Sequence, residues 1–384
     1  MKGLISIYLD VFRFLAAIGV FLSHAEQHAG APGVLPPLYL DHKLVIFFFV
    51  ISGYVIAASA SRPDRTLANY TADRLARLSS VVIPALVLTY CLDKIGAAVT
   101  PEMYAAIDPH WQPLRFLVNL VYCQQLWFLC VNPSSNTPLW SLGYEFWYYA
   151  LFAIWVFVRP KSVKAVLLLL VSLLVGPKIL LLLPAWVVGA LAFHAAKTVR
   201  CSYRNSVLLF IGSGLVLAGA IVFAVPLGLT NGLAGQPPLY YSANFIGDNI
   251  FAVLVAGHFL SCALLSGHIA KNLEPYRAVR FIRWLASHTF SLYVYHMPIL
   301  YFIRAIGRYD ANNIYAVLAA MVLALGIIVV LSKLTEERYP VLRAWLRARM
   351  TAFAEKMVPR AIESKWSPAT GSVAGSPTAL GKSA

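Results

Sequence analysis

Apolar runs of membrane-spanning length recur along almost the whole chain, separated by short polar segments rich in arginine and lysine. A bilayer core takes about 20 mostly apolar residues per helix. The runs divide into ten, approximately 4–25, 43–60, 78–95, 139–158, 164–176, 180–196, 206–225, 246–265, 285–303 and 314–332. This pattern predicts an all-α polytopic membrane protein of about ten transmembrane helices. Residues 114–130 are apolar but short, and Asn119, Gln124 and Gln125 interrupt them. They are expected to form an amphipathic or re-entrant helix on the outer side, because an eleventh span would invert every segment after it.

Composition agrees with this pattern. With 60% hydrophobic residues, 12% charged residues and a mean hydropathy of +0.71, an ordinary soluble domain is excluded. The first apolar run is too long for a signal-peptide core, so no cleavable leader is expected. The formal charge of +15 would suggest a nucleic-acid partner if its distribution were ignored. With the N-terminus placed in the cytoplasm, however, 24 of the 31 basic residues fall on inner segments and six on outer ones. The positive-inside rule therefore puts both termini in the cytoplasm and leaves no reason for a nucleic-acid partner. Five cysteines show no metal or redox spacing, and unpaired thiols are expected. Residues 1–335 read as the membrane domain and 336–384 as a basic, then low-complexity cytoplasmic tail, expected to be disordered after about Lys365.

Candidate chemistry begins in the first span, LDVFRFLAAIGVFLSHA. Arginine at a helix centre costs roughly 2.5–3.5 kcal/mol on the most lenient insertion scale, so Arg13 needs a reason. Asp10, three residues earlier, is placed to partner it. Arg13 and His24 are eleven residues apart, which puts them on one stripe of the helix about 16 Å apart along its axis. His24 reads either as an interfacial residue at a helix end or as a general base, and the shared stripe favours the base. In the second span Ser52 and Gly53 let another backbone approach closely, a pattern that also fits plain helix packing. Arg74 and Arg77, at i and i+3 beside a cytoplasmic opening, suit phosphate groups, although positive-inside anchoring explains them equally well.

Glu145 lies about two turns into the fourth span, and His24 is its natural partner at that depth, with a structural pair elsewhere as the other reading. The ninth span brings His288, Ser291, Tyr293, Tyr295 and His296 to membrane depth, with Pro298 just after. Asp248 and Asn249 in the eighth span are weaker candidates.

Taken together, these segments resemble the membrane-bound acyltransferase 3 family, integral-membrane O-acyltransferases of bacterial glycans. The resemblance rests on LDVFRFLAAIGVFLSH, with Arg13, ten residues and His24; on FFFVISGYVI; on Arg74-x-x-Arg77; on WSLGYEFWY; and on SLYVYHMP. The motifs run in family order from residue 9 to about 300. Two departures stand out: Gly143-Tyr144 before the glutamate, and a single Glu145 where many members carry two acidic residues.

The resemblance implies ten helices around a central cavity in a bacterial cytoplasmic (inner) membrane. It implies acyl-CoA, usually acetyl-CoA, as co-substrate, with no bound cofactor or metal, and a carbohydrate hydroxyl as acceptor. His24 takes the catalytic role, with Glu145 as its partner. Arg13, Asp10, Arg74, Arg77, Ser52, Gly53, Tyr293 and His296 form the donor and oxyanion support. From the residues alone, a transporter or exporter of a lipid-linked sugar, with Arg13, His24 and Glu145 as a relay, is the competing reading. No internal repeat supports it.

Overall fold

A computed structural model describes residues 3–28, 40–63, 65–224, 237–269, 273 and 276–357, with side chains to 352. The expected disordered end after Lys365 lies outside the described residues. The chain forms α1 (Leu4–His28), α2 (Asp41–Ala60), α3 (Leu67–Val99), α4 (Pro101–Tyr104), α5 (Gln112–Leu120), α6 (Trp140–Phe157) and α7 (Lys161–Val175). It continues with α8 (Pro177–Thr198), α9 (Tyr203–Ala224), α10 (Phe245–Ser266), α11 (Arg277–Ser287), α12 (Thr289–Gly307), α13 (Ile314–Leu334) and α14 (Tyr339–Met357). No strand forms among the described residues.

All ten predicted apolar runs are helical. Seven helices, α1, α2, α3, α8, α9, α10 and α13, are long and apolar enough to cross a membrane. The ninth run is broken at its start. Residues 277–287 form the separate amphipathic helix α11, and α12 begins only at Thr289. Within 114–130, α5 ends at Leu120 and irregular backbone follows.

Local chemistry sets the boundaries. The Thr66 hydroxyl accepts from Asn69 N at the start of α3, and Asn313 accepts from Tyr315 N and Ala316 N at the start of α13. Gly176, at φ +77°, makes the tight turn between α7 and α8.

Two close approaches position the site. The first is the crossing of α2 and α8. A β-carbon on Gly53 would sit 1.9 Å from the Trp186 carbonyl oxygen, and one on Gly189 would sit 2.0 Å from that of Val50. Side chains at both positions would push the backbones apart.

The second lies in α12. Pro298 has no N–H, so the Val294 carbonyl loses its helical donor. The buried Asn136 side chain supplies a replacement at 3.0 Å and also donates to Thr89 on α3 at 3.1 Å. The 132–139 loop is itself tied to α3, where Asp93 accepts from Ser135 N and Oγ at 3.0 and 2.7 Å. The loop thus braces α12 beside His296.

Candidate active site

α1, α2, α3, α6, α11, α12 and the start of α14 surround a cavity of about 470 Å³. Asp10, Arg13, Ser52, Arg74, Arg77, Glu145 and Tyr293 all line it, so seven of the sequence candidates meet there. Asp73, Tyr149, Arg283 and Tyr339, which the sequence reading did not single out as site residues, join them.

The expected Asp10–Arg13 pair forms at 3.6 Å, and Arg283 from α11 also reaches Asp10 at 2.9 Å. Arg77 pairs with Glu336 at 2.7 Å. The Arg74 guanidinium lies over the rings of Tyr70 and Tyr149 at 5.9 and 6.0 Å. Arg77 and Arg283 keep about a third of their side-chain surface open, 32% each, which marks the accessible end. Counting Glu336 behind Arg77 and the two arginines that hold Asp73, Arg65 and Arg347, six arginines meet four carboxylates in and behind the cavity wall, a surplus that suits an anion.

His24 lies outside this cavity, and Glu145 does not meet it. The Glu145 carboxylate instead accepts from the Ser52 and Tyr149 hydroxyls, each at 2.5 Å, and Trp186 donates to Ser52 at 3.1 Å. The sequence pairing of His24 with Glu145 is therefore corrected. It assumed that shared depth meant shared position, whereas α6 points Glu145 down into the arginine cavity. Tyr149, one helical turn beyond Glu145, was the available signal.

The partner of His24 is His296. His24 Nδ1 and His296 Nε2 are 2.7 Å apart, with the rings nearly coplanar at 6°. His296 Nδ1 lies 3.0 Å from the Leu292 carbonyl oxygen, which can only accept, so Nδ1 carries the hydrogen. In the neutral ring Nε2 must then accept, and the donor is His24 Nδ1–H. This assignment leaves the lone pair of His24 on Nε2. Asp41 Oδ2 stands 3.9 Å from that nitrogen, beyond hydrogen-bond reach but close enough to stabilise a positive ring. Asp41 occupies the place the sequence reading gave to Glu145.

Other candidates take structural positions. Gly53 faces α8, not the cavity. His288 bonds Ser332 at 2.8 Å, and Asn249 donates to the Leu181 carbonyl at 2.9 Å. Asp248 is fully buried between Lys43 at 2.7 Å and His42 at 2.9 Å. The five cysteines are free.

The family model of the acyltransferase domain Acyl_transf_3 matches residues 6–333, which include the histidine pair and every residue named from the cavity wall except Tyr339. The chain belongs to the acyltransferase 3 family. With its seven long apolar helices, this acyltransferase-3 protein is a multi-pass membrane protein. An O-acetyl transferase of Shigella phage Sf6 is 28% identical over 208 residues, 49% of this chain and 60% of that protein. The aligned region thus spans about 60% of the length of that curated relative. No solved structure matches the chain. Tyr339 and Arg347, on α14, lie beyond the residues matched to the family.

Proposed function

We propose that this protein is an O-acyltransferase that moves an acyl group, acetyl in the first instance, from cytoplasmic acyl-CoA to a hydroxyl of a cell-surface or exported carbohydrate. In this reading α6, α7 and α12 join the seven long apolar helices as spans, giving ten. Both termini lie in the cytoplasm, and the membrane is a bacterial inner membrane. The arginine end of the cavity then faces the cytoplasm, where the donor is made, and His24 faces the outer side.

One observation carries the reading: a single helix, α1, presents an arginine into an anion-suited cavity and, eleven residues on, a histidine whose Nε2 lone pair is free to act as a base. Arg74, Arg77 and Arg283 bind the phosphates of the donor through charge-assisted hydrogen bonds. The slim pantetheine arm extends past Arg13 toward the histidine pair. The acceptor oxygen attacks the thioester carbonyl while its proton passes to His24 Nε2, and Asp41 stabilises the imidazolium that forms. The tetrahedral intermediate collapses with cleavage of the C–S bond, and the thiolate takes the proton back from His24 as it leaves. No acyl-enzyme and no bound cofactor is needed. Arg13, or a polar group on α12, stabilises the developing oxyanion.

Membranes bearing wild type or His24→Ala, incubated with acetyl-labelled CoA and the host glycan fraction, test this directly. The expected result is alkali-labile label on a glycan with wild type alone. Equal labelling by the variant removes His24 from the chemistry. Absence of transfer from any acyl donor, with expression and a suitable acceptor confirmed, removes the acyltransferase reading.

A further inference from the structure

The cavity stops one layer of side chains short of the histidine pair. Tyr293 lines the cavity, and its ring centroid is 6.2 Å from that of His296, three residues further along α12. Phe48 also lines the cavity and leans edge-on against Tyr293, with centroids 5.6 Å apart at 61°. On α2, Phe48 sits one turn from Ser52, which faces the arginine cavity, and about two turns from Asp41, which faces His24. Tyr293 therefore separates the cavity from the His296 ring, and Phe48 packs against it on the α2 stripe that runs from Ser52 to Asp41.

They are held very differently. The Tyr293 hydroxyl donates to the Pro138 carbonyl at 2.9 Å and bonds Ser141 at 2.7 Å, so that ring is pinned. Phe48 carries no polar atom and is kept in place by packing alone. Swinging it aside breaks no hydrogen bond, whereas moving Tyr293 breaks two.

We propose that Phe48 is the gate and the length-selecting residue for the acyl group. This rests on the acyl-CoA reading above, since only a donor bound at the arginines and a base at His24 require passage through this layer. The ring turns off Tyr293 as the thioester passes. The gap it leaves, still bounded by the pinned tyrosine, admits a two-carbon acyl group more readily than a long one. Discrimination by a hydrophobic pocket is limited to about 10–200-fold per methylene-sized difference, which sets the scale of the effect.

The test compares wild type, Phe48→Ala, Phe48→Leu and Phe48→Trp, each checked for a monodisperse detergent-solubilised peak. Acetyl-, butyryl- and hexanoyl-CoA serve as donors and the host glycan fraction as acceptor. Phe48→Ala is expected to raise the hexanoyl-to-acetyl rate ratio about tenfold or more, with Phe48→Leu between it and wild type. Phe48→Trp should lower acetyl transfer by at least about tenfold while KM for acetyl-CoA stays within about twofold, because the arginine end is untouched. Folded variants that keep the wild-type chain-length profile overturn the gate and leave the acyltransferase reading standing. A wild type that uses none of the three donors overturns both, whereas wild-type transfer with altered variant profiles supports both. If Phe48→Ala alone fails to fold, the ordering of Phe48→Leu and Phe48→Trp decides the matter.

Discussion

His24 Nδ1 and His296 Nε2 lie 2.7 Å apart, and the carbonyl of Leu292 behind His296 sets the direction of that hydrogen bond. In the proposed reaction His296 positions the base: by accepting at Nε2 it keeps the His24 lone pair on the far nitrogen. Replacing His296 with leucine removes the acceptor and frees the other tautomer. General-base contributions are typically about 10²–10⁴-fold, so kcat should fall at least about a hundredfold. Glutamine can still accept through its side-chain oxygen and should retain clearly more activity than leucine. Steady-state kinetics with labelled acetyl-CoA checks this, with KM for the donor close to wild type in both variants. Equal losses in the two variants would show that His296 does no more than fill space.

Asp41 and Glu145, two of the carboxylates near the site, should respond in opposite ways. In the proposed reaction Asp41, 3.9 Å from His24 Nε2, stabilises the imidazolium, but its side chain is 37% exposed and water screens it. A unit charge at about 4 Å in water-like surroundings is worth about 1 kcal/mol, so Asp41→Asn should lower kcat roughly fivefold. Glu145 sits among the arginines, where its negative charge opposes an incoming phosphate. Glu145→Gln should lower KM for acyl-CoA, roughly two- to fivefold, with little change in kcat. A collapse of kcat in Glu145→Gln would instead show that the carboxylate acts in the transfer step itself.

What the sequence disclosed and what it withheld follow from the range of each signal. The helices were legible because each apolar run carries its own length and hydrophobicity, whatever it packs against. The Arg13–His24 stripe and the Asp10–Arg13 pair were legible because both lie on one helix, where spacing fixes geometry. The partners of His24 were not, because His296 and Asp41 come from α12 and α2, and relative depth alone does not say which helices face each other. Phe48 was hidden for another reason: inside FFFVISG, one phenylalanine among three carries no mark of the face it occupies. Tyr339 and Arg283 fell in segments that composition assigns to charge distribution rather than to a site.

Asp73 joins two parts of the protein that the sequence reading set apart. It accepts from Arg65 at 2.8 Å and from two nitrogens of Arg347 on α14, at 2.7 and 2.8 Å. Arg65 and Asp73 are nearly buried, at 7% and 6%, while Arg347 is 36% exposed. Removing the carboxylate strands a buried guanidinium, which typically costs about 3–5 kcal/mol. Removing the half-exposed arginine costs about 0.2–1 kcal/mol. Asp73→Ala should therefore lower the midpoint of thermal aggregation in detergent well below that of Arg347→Ala. Equal shifts would mean that Arg347, not Arg65, supplies most of the pairing energy.

Gly53 belongs to the motif element that also carries Phe48 and Ser52, yet its surroundings are purely steric. The 1.9 Å approach of the Trp186 carbonyl to a β-carbon involves backbone, which cannot rotate away as a side chain can. Gly53→Ala must therefore part α2 from α8, moving Ser52 away from Trp186, which donates to it at 3.1 Å, and disturbing the Glu145 cluster beyond. Overpacking of this kind costs typically about 1–3 kcal/mol. Gly189→Ala meets the Val50 carbonyl from the other side at 2.0 Å and should reproduce the defect, although Gly189 carries no motif and does not line the arginine cavity. Thermal stability in detergent and transfer activity should fall together in both variants. A Gly53→Ala protein of normal stability that has lost transfer, beside a Gly189→Ala protein that keeps it, would instead give Gly53 a direct part in the chemistry.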